Sequence, residues 1–404
     1  MLSPVAAGHV MGNSTLDQAP AAALAGIMTG RRLSTRRFIS VRRKRDYEKA
    51  PMSTKRKRVV RFDLPLNPAF DERLALESDI GLTVCAHAGP EAAAWTALEH
   101  AHVYHVSAAK DELPRRWFVN AALLQRCPAL LCVSSFGAGY DTVDVAACTK
   151  AGVAVVNQAG GNANSVAELA IGLMLALSRR IIECDRRLRR ERGFSREDVM
   201  GHEIGGKVLG IVGIGHTGTR VAALAHAFGM TVLATDPYLT GEEIGRRGAV
   251  SVALEDLLSQ SDIVSLHCPR AQDTIGMIGA RALQRMKRGA LFITTARGGI
   301  HDEAALLEAL QSGHIGGAGL DVWDVEPPPL DHPLLKQDNV IAGFHTAGVT
   351  HEARRNMAAI AAEQIVGALK GGRLPRLINP EVWPAYAARF EAVLGVQVQA
   401  PDSE

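Results

Sequence analysis

Three charged side chains stand directly after apolar runs in the second half of the chain: Arg297 in FITTARGGI, Glu326 in GLDVWDVEPPP and His345 in NVIAGFHTAG. The guanidinium of Arg297 could hold a carboxylate through two parallel hydrogen bonds and so fix a 2-oxo acid. His345 could hold the proton that a carbonyl oxygen receives, and Glu326 would favour the imidazolium and orient its ring. Taken singly, the three are more typical of a surface ion pair, a loop start and a core histidine. Their shared position beyond strand ends, where open parallel sheets bind ligands, makes them candidates for one site.

A glycine-rich stretch, KVLGIVGIGHTGTRVAALAHAFGMTVLATD at 207–236, has the pattern of a strand, a turn, a helix and a second strand. Gly213 permits a tight turn, Gly215 keeps side chains away from a pyrophosphate, and Gly218 lets the helix pack closely on the sheet. The N-terminus of that helix offers free N–H groups to phosphates. Asp236 ends the second strand, where a carboxylate accepts hydrogen bonds from ribose hydroxyls and repels a 2′-phosphate. The spacing predicts a dinucleotide site that prefers NAD to NADP.

The composition bounds the class of protein. A chain of 404 residues with 47% hydrophobic content can form two or three domains with real cores. The six cysteines show no CxxC spacing, which favours buried free thiols in a reducing compartment. No apolar run approaches the length of a membrane span. We therefore expect a cytoplasmic protein with no membrane partner.

The N-terminal segment 1–57 differs from the rest in charge: it has twelve Lys and Arg against three Asp and Glu, while the remainder has 33 against 39. A basic tail on a mildly acidic remainder is not typical of a nucleic-acid-binding fold, so no nucleic acid partner is expected. We interpret 1–57 as a disordered extension, and Met52 is a possible natural start. A transit peptide and a polyanion-binding or nuclear patch at Arg42–Arg45 are the alternatives.

From Val59 onward, short apolar runs alternate with helix-patterned segments. In the first part we expect strands at Val59–Leu64, Gly81–Ala86, His102–Ser107, Leu130–Ser135 and Ala154–Asn157, with helices such as Pro90–His100 and Val143–Thr149 between them. After the glycine-rich stretch we expect strands at Ile263–His267, Ala290–Thr294, Gly316–Val322 and Asn339–Ala342, with helices at Leu254–Gln260, Arg281–Met286 and Glu303–Gln311. Such alternation predicts parallel sheets covered on both faces.

Two helix patterns decide how the domains connect. The nearly uncharged segment Ser165–Arg180 predicts a helix buried against a neighbouring domain or another subunit. The helix His351–Leu369 has no strand left to pair with in the cofactor sheet, and LINPEVW is expected to close the ordered part. The predicted fold is α/β with two doubly wound parallel-sheet domains. A Rossmann NAD domain, 162–346, is inserted into a flavodoxin-like substrate domain, 58–161 and 347–404.

From about Val59 to Trp383 the chain resembles the D-isomer-specific 2-hydroxyacid dehydrogenase family. The resemblance is carried by SVAELAIGLMLALSRR, GIGHTG, SLHCPRAQDTIGMIG, MKRGALFITTARGGIHDEAALLEAL, LDVWDVEPP and FHTAG, in the family's order. It implies that Arg297 binds the substrate carboxylate, that His345 is the catalytic acid and base, and that Glu326 supports His345. In the turn FGAGYD it implies that the backbone N–H groups of Ala138 and Gly139 bind the same carboxylate.

The resemblance also implies the remaining partners of the site. Asp321 is expected at the nicotinamide carboxamide, and the helix after Ser165 is similar to the family's dimerisation arm, which implies a homodimer. The cofactor-binding residues expected together from the spacing and the resemblance are Gly213, Gly215, His216, Thr217, Gly218, Asp236, Pro269, Thr295, Ala296, Arg297, Asp321, His345 and Gly348. No metal site is expected, since His100, His102 and His105 have no carboxylate or cysteine at ligand spacing.

The expected function is NAD-dependent interconversion of a small 2-oxo acid and its D-2-hydroxy acid. An unphosphorylated, glyoxylate-like or hydroxypyruvate-like acid is favoured, because phosphoglycerate-specific relatives place arginines near the turn at Val106–Ala109, where this chain has VSAA followed only by Lys110. Glu326 stands where formate dehydrogenases carry Gln, which disfavours formate. Phosphoglycerate dehydrogenase and an NAD-sensing dimeric corepressor of the C-terminal-binding type are the alternatives.

Overall fold

The computed structural model describes residues 57–399. The first part of this range forms a five-stranded parallel sheet in the order β2-β1-β3-β4-β5. Its strands are β1 (Lys57–Phe62), β2 (Ile80–Cys85), β3 (Val103–Ser107), β4 (Cys132–Phe136) and β5 (Ala154–Val156). This is the strand order of flavodoxin-like folds. β3 and β5 are buried along their whole length, as expected of strands covered on both faces.

The second sheet has seven parallel strands in the order β12-β11-β10-β9-β6-β7-β8. Its strands are β6 (Val208–Val212), β7 (Thr231–Thr235), β8 (Val250–Ser251), β9 (Ile263–Leu266), β10 (Ala290–Thr294), β11 (Ile315–Leu320) and β12 (Val340–Ala342). Numbered from β6, this is the Rossmann order with one additional edge strand. The chain reverses its strand order between β6 and β9, so a crevice for ligands forms at the carboxyl ends of these two strands.

Helices cover both faces of each sheet. They are α1 (Ala69–Ala75), α2 (Glu91–Leu98), α3 (Ala121–Arg126), α4 (Val145–Lys150), α5 (Ala163–Ser178), α6 (Ile181–Arg190), α7 (His216–Ala227), α8 (Gly241–Arg246), α9 (Leu254–Gln260), α10 (Ala280–Arg285), α11 (Glu303–Gln311), α12 (His351–Leu369) and α13 (Trp383–Leu394). Several begin at side-chain caps that satisfy free backbone N–H groups. Asp302 caps α11, Thr350 caps α12, and Thr240 forms a capping box with Glu243 at α8.

The chain leaves the seven-stranded sheet through α12 and returns to the five-stranded one. Ala358 and Ile365 of α12 share a hydrophobic core with Val59 of β1 and Phe70 of α1. The Rossmann part is therefore an insertion in the first fold, as predicted.

The prediction that LINPEVW closes the ordered part is wrong, because α13 follows it. Its Tyr386, Phe390 and Leu394 recur every four residues and pack into the same core, a helical period that the sequence already carries.

The nearly uncharged helix ends earlier than predicted. α5 stops at Ser178, Arg180 has left-handed backbone with φ 50°, and α6 begins at the next residue. Nine of the 16 residues of α5 are buried within the chain. The helix packs on β11, where a Cβ at Gly319 would come within 3.0 Å of the Leu173 side chain. Glycines in β11 therefore allow this helix to approach the sheet closely.

Residues 57–399 include the end of the basic segment and all six cysteines. The segment 1–57 lies outside this range except for Lys57, which is the first residue of β1 rather than part of a tail. All six cysteines are free; four are buried, and Cys184 and Cys268 are half-buried. Within residues 57–399, no helix is long and apolar enough to cross a membrane. No group of three or more His, Cys, Asp or Glu in that range could hold a metal ion. The domain boundaries at 161/162 and 346/347 stay predictions.

Candidate active site

The glycine loop after β6 has the shape that a dinucleotide needs. Gly213 has φ +87°, and a Cβ there would lie 2.7 Å from the backbone nitrogen of Cys268. A Cβ at Gly218 would collide with the Gly213 carbonyl, so α7 could not sit this close to the strand. A Cβ at Gly215 would meet nothing within 4 Å, which leaves the N-terminus of α7 open to a ligand. Each of the three positions thus suits the function predicted for it, and the cradle fits a pyrophosphate.

Asp236 lies at the edge of the same loop. Its Oδ2 accepts a hydrogen bond from the Ile214 N–H at 3.0 Å, and its Oδ1 accepts one from the Tyr238 N–H at 3.1 Å. Arg247 donates to the Ile214 carbonyl at 2.7 Å. The carboxylate and the loop are therefore held together before any ribose binds. A carboxylate oxygen has more than one lone pair, so Asp236 can still accept from ribose hydroxyls.

Loops from both sheets line one cleft. It has two adjoining parts with volumes of about 550 and 520 Å³. The larger part reaches Glu326, His345 and Gly348, and the smaller part reaches His216, Thr217 and Pro269. The residues that line both parts include Ala138, Gly139, Asp141, Asn162, Arg270, Thr295 and Arg297. The structure thus brings the predicted substrate residues, the His–Glu pair and eight of the thirteen predicted cofactor residues to one cavity.

The substrate-side wall of this cleft is the turn FGAGYD after β4. The Ala138 carbonyl accepts a hydrogen bond from Asn157 at 2.7 Å, and the Gly139 carbonyl accepts one from Ser135 at 2.8 Å. The N–H groups of Ala138 and Gly139 have no hydrogen-bond partner among residues 57–399. Two free backbone donors beside a cavity are a ready site for an anion.

Arg297 follows β10 and faces this turn. Its Nε donates to the Asp141 carboxylate at 3.3 Å, and its Nη1 donates to the Ala296 carbonyl at 2.7 Å. Its Nη2 lies so close to the Cα of Gly139 that a Cβ there would overlap it. Within the described part of the chain, Nη2 has no hydrogen-bond acceptor. A carboxylate that enters the cleft can therefore meet Nη2 and the two free amides together.

His345 and Glu326 are hydrogen-bonded to each other in the larger part of the cleft. Nδ1 of His345 lies 2.8 Å from Oε2 of Glu326, and Oε1 of Glu326 accepts from the Trp323 N–H at 3.1 Å. Burial pushes the pKa of Glu326 upwards. The hydrogen bond and charge of His345, together with the Trp323 N–H and Arg297, outweigh burial and hold this pKa below its usual value. Glu326 is therefore a carboxylate at neutral pH, and Nε2 of His345 is left without a partner among the described residues.

The backbone at His345 is in the left-handed region, with φ 49°. Its N–H donates to the Asp321 carbonyl at 2.7 Å. The Asp321 carboxylate accepts from the N–H groups of Thr346 at 3.0 Å and Ala347 at 2.8 Å. Asp321 is fully buried, and burial raises its pKa although these hydrogen bonds and His345 act against the rise. Asp321 therefore shapes the loop that presents His345; its expected contact with the nicotinamide carboxamide stays a prediction.

Three cleft residues, Asp141, Arg270 and His267, were not anticipated from the sequence. Asp141 ends the turn FGAGYD and pairs with Arg297 and also, at 3.3 Å, with Arg270. His267 is held between the hydroxyls of Ser265 at 2.8 Å and Thr295 at 3.4 Å, and burial lowers its pKa to about 4, so it is neutral at physiological pH. The sequence places them only within the motifs FGAGYD and SLHCPRAQDTIGMIG and does not indicate their contacts.

Two aromatic residues of the five-stranded part differ in their relation to the cleft. Trp117 is 1% exposed and packs in the core under the five-stranded sheet, whereas Tyr140 lines the smaller part of the cleft. Burial raises the pKa of the nearby Cys268 thiol to about 11, so this cysteine is neutral and unreactive.

A hydride carrier on the glycine loop and an acid held by Arg297 would share one cleft with a proton donor. Fold and site together define the class of nicotinamide-dependent dehydrogenases. The family model described as D-isomer specific 2-hydroxyacid dehydrogenase, NAD binding domain, matches residues 171–347. The chain belongs to this family.

Individual relatives agree with this placement. The chain is 42% identical over 268 residues to D-3-phosphoglycerate dehydrogenase of Archaeoglobus fulgidus, a match that covers 66% of this chain and only 51% of that protein. It is 40% identical over 267 residues to glyoxylate reductase of Korarchaeum cryptofilum, covering 65% of this chain and 80% of that protein. The crystal structure of D-lactate dehydrogenase from Aquifex aeolicus with NAD and lactic acid superposes with a TM-score of 0.68 at 27% identity, over 79% of this chain and 98% of that one. The predicted family, fold class and NAD cofactor are confirmed, and the functions of single residues stay predictions.

Proposed function

We propose that this protein is an NAD-dependent dehydrogenase that interconverts a small unphosphorylated 2-oxo acid and its D-2-hydroxy acid. The observation that carries the proposal is the shared cleft in which Arg297 faces the free amides of Ala138 and Gly139 beside the His345–Glu326 pair. A carboxylate site next to a histidine with a free nitrogen suits an acid whose carbonyl oxygen gains or loses a proton.

The chain's own residues would act as follows in the direction of reduction. Bound NADH supplies the hydride. The glycine loop and Asp236 bind the dinucleotide, and Arg297 with the two free amides holds the substrate carboxylate in a fixed orientation. Protonated His345 gives the proton on Nε2 to the carbonyl oxygen as that oxygen gains negative charge. Glu326, ionised and hydrogen-bonded to Nδ1, stabilises the imidazolium and keeps the ring orientation. The reverse direction uses neutral His345 as the base.

The preference for an unphosphorylated acid is supported by the end of β3 and the residues that follow it. Val106 is buried, so it offers nothing to a phosphate, and Ser107 donates to the Glu112 carboxylate at 2.5 Å. Glu112 lines the larger part of the cleft, where it would repel a phosphate dianion. Glyoxylate and hydroxypyruvate are therefore favoured over 3-phosphohydroxypyruvate. The phosphoglycerate activity in the name of the Archaeoglobus relative keeps that substrate as the second candidate.

The proposal is tested by NADH oxidation with the full chain. Glyoxylate, hydroxypyruvate, pyruvate, phenylpyruvate and 3-phosphohydroxypyruvate are compared, with NADPH in parallel. We expect clear turnover of at least one unphosphorylated acid with NADH, lost in His345→Asn. Preference for the phosphorylated acid would make phosphoglycerate oxidation the function. Tight NADH binding without reduction of any acid would favour a corepressor-like binding protein.

We also propose that the protein is a homodimer joined through α6. Ile181, Ile182 and Leu188 of this helix are 36–61% exposed, and a cavity of about 650 Å³ lies beside Ile182. Exposed aliphatic residues clustered on one helix are typical of an interface. Sedimentation equilibrium should give twice the chain mass, and Leu188→Glu should give a monomer. A monomeric wild-type chain would contradict this part of the proposal.

A further inference from the structure

Asp141 connects the two walls of the cleft. It lies in the turn after β4, in the five-stranded part, whereas Arg270 and Arg297 lie in loops after β9 and β10 of the seven-stranded part. Oδ1 of Asp141 is 3.3 Å from Nη2 of Arg270, and Oδ2 is 3.3 Å from Nε of Arg297. The Asp141 side chain is only 25% exposed. One carboxylate thus holds two guanidinium groups that come from the opposite wall.

The contact with Arg297 decides where that guanidinium points. An arginine side chain has several rotatable bonds, and a planar fork binds a carboxylate well only when its edge is aimed correctly. Asp141 fixes the Nε edge and the Ala296 carbonyl fixes Nη1, so that Nη2 is directed at Gly139. Without Asp141, Ala296 alone would restrain the head group.

Resting on the proposed function, we propose that Asp141 is a positioning residue that aims Arg297 at the carboxylate of the 2-oxo acid. Arg270 assists by occupying the other oxygen of Asp141 and so fixing the plane of its carboxylate. Asp141 itself does not touch the reacting atoms; it acts through Arg297.

Electrostatics alone predicts the opposite effect of removing Asp141. Its negative charge lies in the cleft, so its loss would improve the binding of an anionic substrate. Positioning predicts weaker binding, because Arg297 loses its preorganised orientation. The sign of the change in KM therefore distinguishes positioning of Arg297 from an electrostatic effect alone. Asp111 provides the matched control: it lines the larger part of the cleft and forms no ion pair with Arg297 in residues 57–399.

The experiment measures kcat and KM of the full chain with its best 2-oxo acid for wild type, Asp141→Ala, Asp141→Asn and Asp111→Ala. We expect Asp141→Ala to raise KM about tenfold and to leave the Kd of NADH unchanged. Asp141→Asn should recover most of the loss, because its amide oxygen still accepts from Nε. Asp111→Ala should not raise KM. A KM that is unchanged or lowered in Asp141→Ala would overturn the proposal.

A second comparison separates positioning from general support of the fold. In an Arg297→Ala background, Asp141→Ala should not raise KM further, because the residue through which it acts is gone. An equal effect in both backgrounds, or a lowered unfolding midpoint that accounts for the loss, would also overturn the proposal.

The Kd of oxalate for the protein with NAD bound can be measured by calorimetry, and this measurement does not require turnover. If the wild type reduces no acid, the proposed function fails. Oxalate binding still tests Asp141: a weaker Kd in Asp141→Ala supports it, and no weakening, or no binding to wild type, overturns it.

Discussion

The two walls of the cleft are built in different ways. The wall from the seven-stranded sheet carries charged side chains after four neighbouring strands, and each is fixed by a neighbour: His345 by Glu326, the loop of His345 by Asp321, and Arg297 by Ala296. The wall from the five-stranded sheet offers the turn with free N–H groups at Ala138 and Gly139. Charged side chains also line this wall, at Lys110, Asp111 and Glu112. In the proposed function, one wall supplies proton transfer and charge, and the other supplies shape and backbone hydrogen-bond donors.

This difference predicts different kinetic consequences. Changes to the charged wall should lower turnover, since its side chains act on the atoms that change charge. Changes to the backbone wall should mainly raise KM, since the turn holds a carboxylate that stays the same during the reaction. Asp141 differs from both groups, because it is a side chain of the backbone wall that contacts Arg297 of the charged wall.

The largest effect is expected from His345→Asn. Loss of the general acid should lower kcat by roughly two to four orders of magnitude and leave the Kd of NADH unchanged. Asn tolerates left-handed backbone, so the unfolding midpoint should stay near that of wild type. Stopped-flow measurement of the hydride step checks the change. A kcat within about threefold of wild type would remove His345 from the mechanism.

Arg297→Lys should lower kcat/KM by about 10- to 100-fold, because a point charge replaces a planar fork at a carboxylate site. Both kcat and KM should change, since Arg297 belongs to the charged wall but binds the part of the substrate that does not react. Steady-state kinetics with the best acid checks both constants. A change in KM alone would show that Arg297 contributes to substrate binding and not to turnover.

Gly139→Ala tests the backbone wall. The new Cβ would overlap Nη2 of Arg297, so we expect KM to rise roughly tenfold with a smaller change in kcat. Gly172→Ala on α5 is the matched control, since a Cβ there meets nothing within 4 Å and the change should leave KM as in wild type. Equal kinetics for the two variants would show that the turn is not a substrate surface.

The smallest effect is expected outside the cleft, at a buried histidine that, unlike His345, is not hydrogen-bonded to a carboxylate. His301 is 1% exposed, neither ring nitrogen has a hydrogen-bond partner among the described residues, and burial lowers its pKa to about 4. His301→Leu should raise the free energy of unfolding by about 1 kcal/mol at pH 7.

The pH dependence of stability gives the control for His301. In the unfolded chain the pKa of this histidine returns to its ordinary value of 6.5, whereas folded His301 stays neutral down to about 4. The unfolded chain therefore binds the proton first, and stability is lost as the pH falls through this window, by about 1.4 kcal/mol per pH unit for one histidine. Denaturant unfolding of His301→Leu between about pH 7 and 4 should show a shallower fall than wild type. An identical slope would contradict a neutral buried His301.

Local patterns predicted most of the fold. β10, α9, α11 and α12 begin and end at the predicted residues, and caps such as Asp302 and Thr350 mark two of these helices. The break after Ser178 was missed because left-handed backbone at an arginine leaves no trace in the sequence. α13 was missed although its apolar period was present.

For the site, the positions after strand ends located Arg297, Glu326 and His345, since parallel strands bring their carboxyl ends to one edge. The contacts of Asp141 were not accessible in this way. Its partners are 129 and 156 residues away in sequence and belong to the other sheet. Spacing within one sheet cannot predict which side chains meet across two.

The left-handed backbone of His345 bears on the evolution and engineering of this protein. A residue other than glycine in that region costs about 1–3 kcal/mol, and the loop bears this cost at the histidine that we propose as the general acid. His345→Gly should therefore melt at a higher temperature than wild type while inactive. Selection for thermal stability alone would favour replacement of His345 by glycine. A screen for more stable variants therefore has to select for turnover as well.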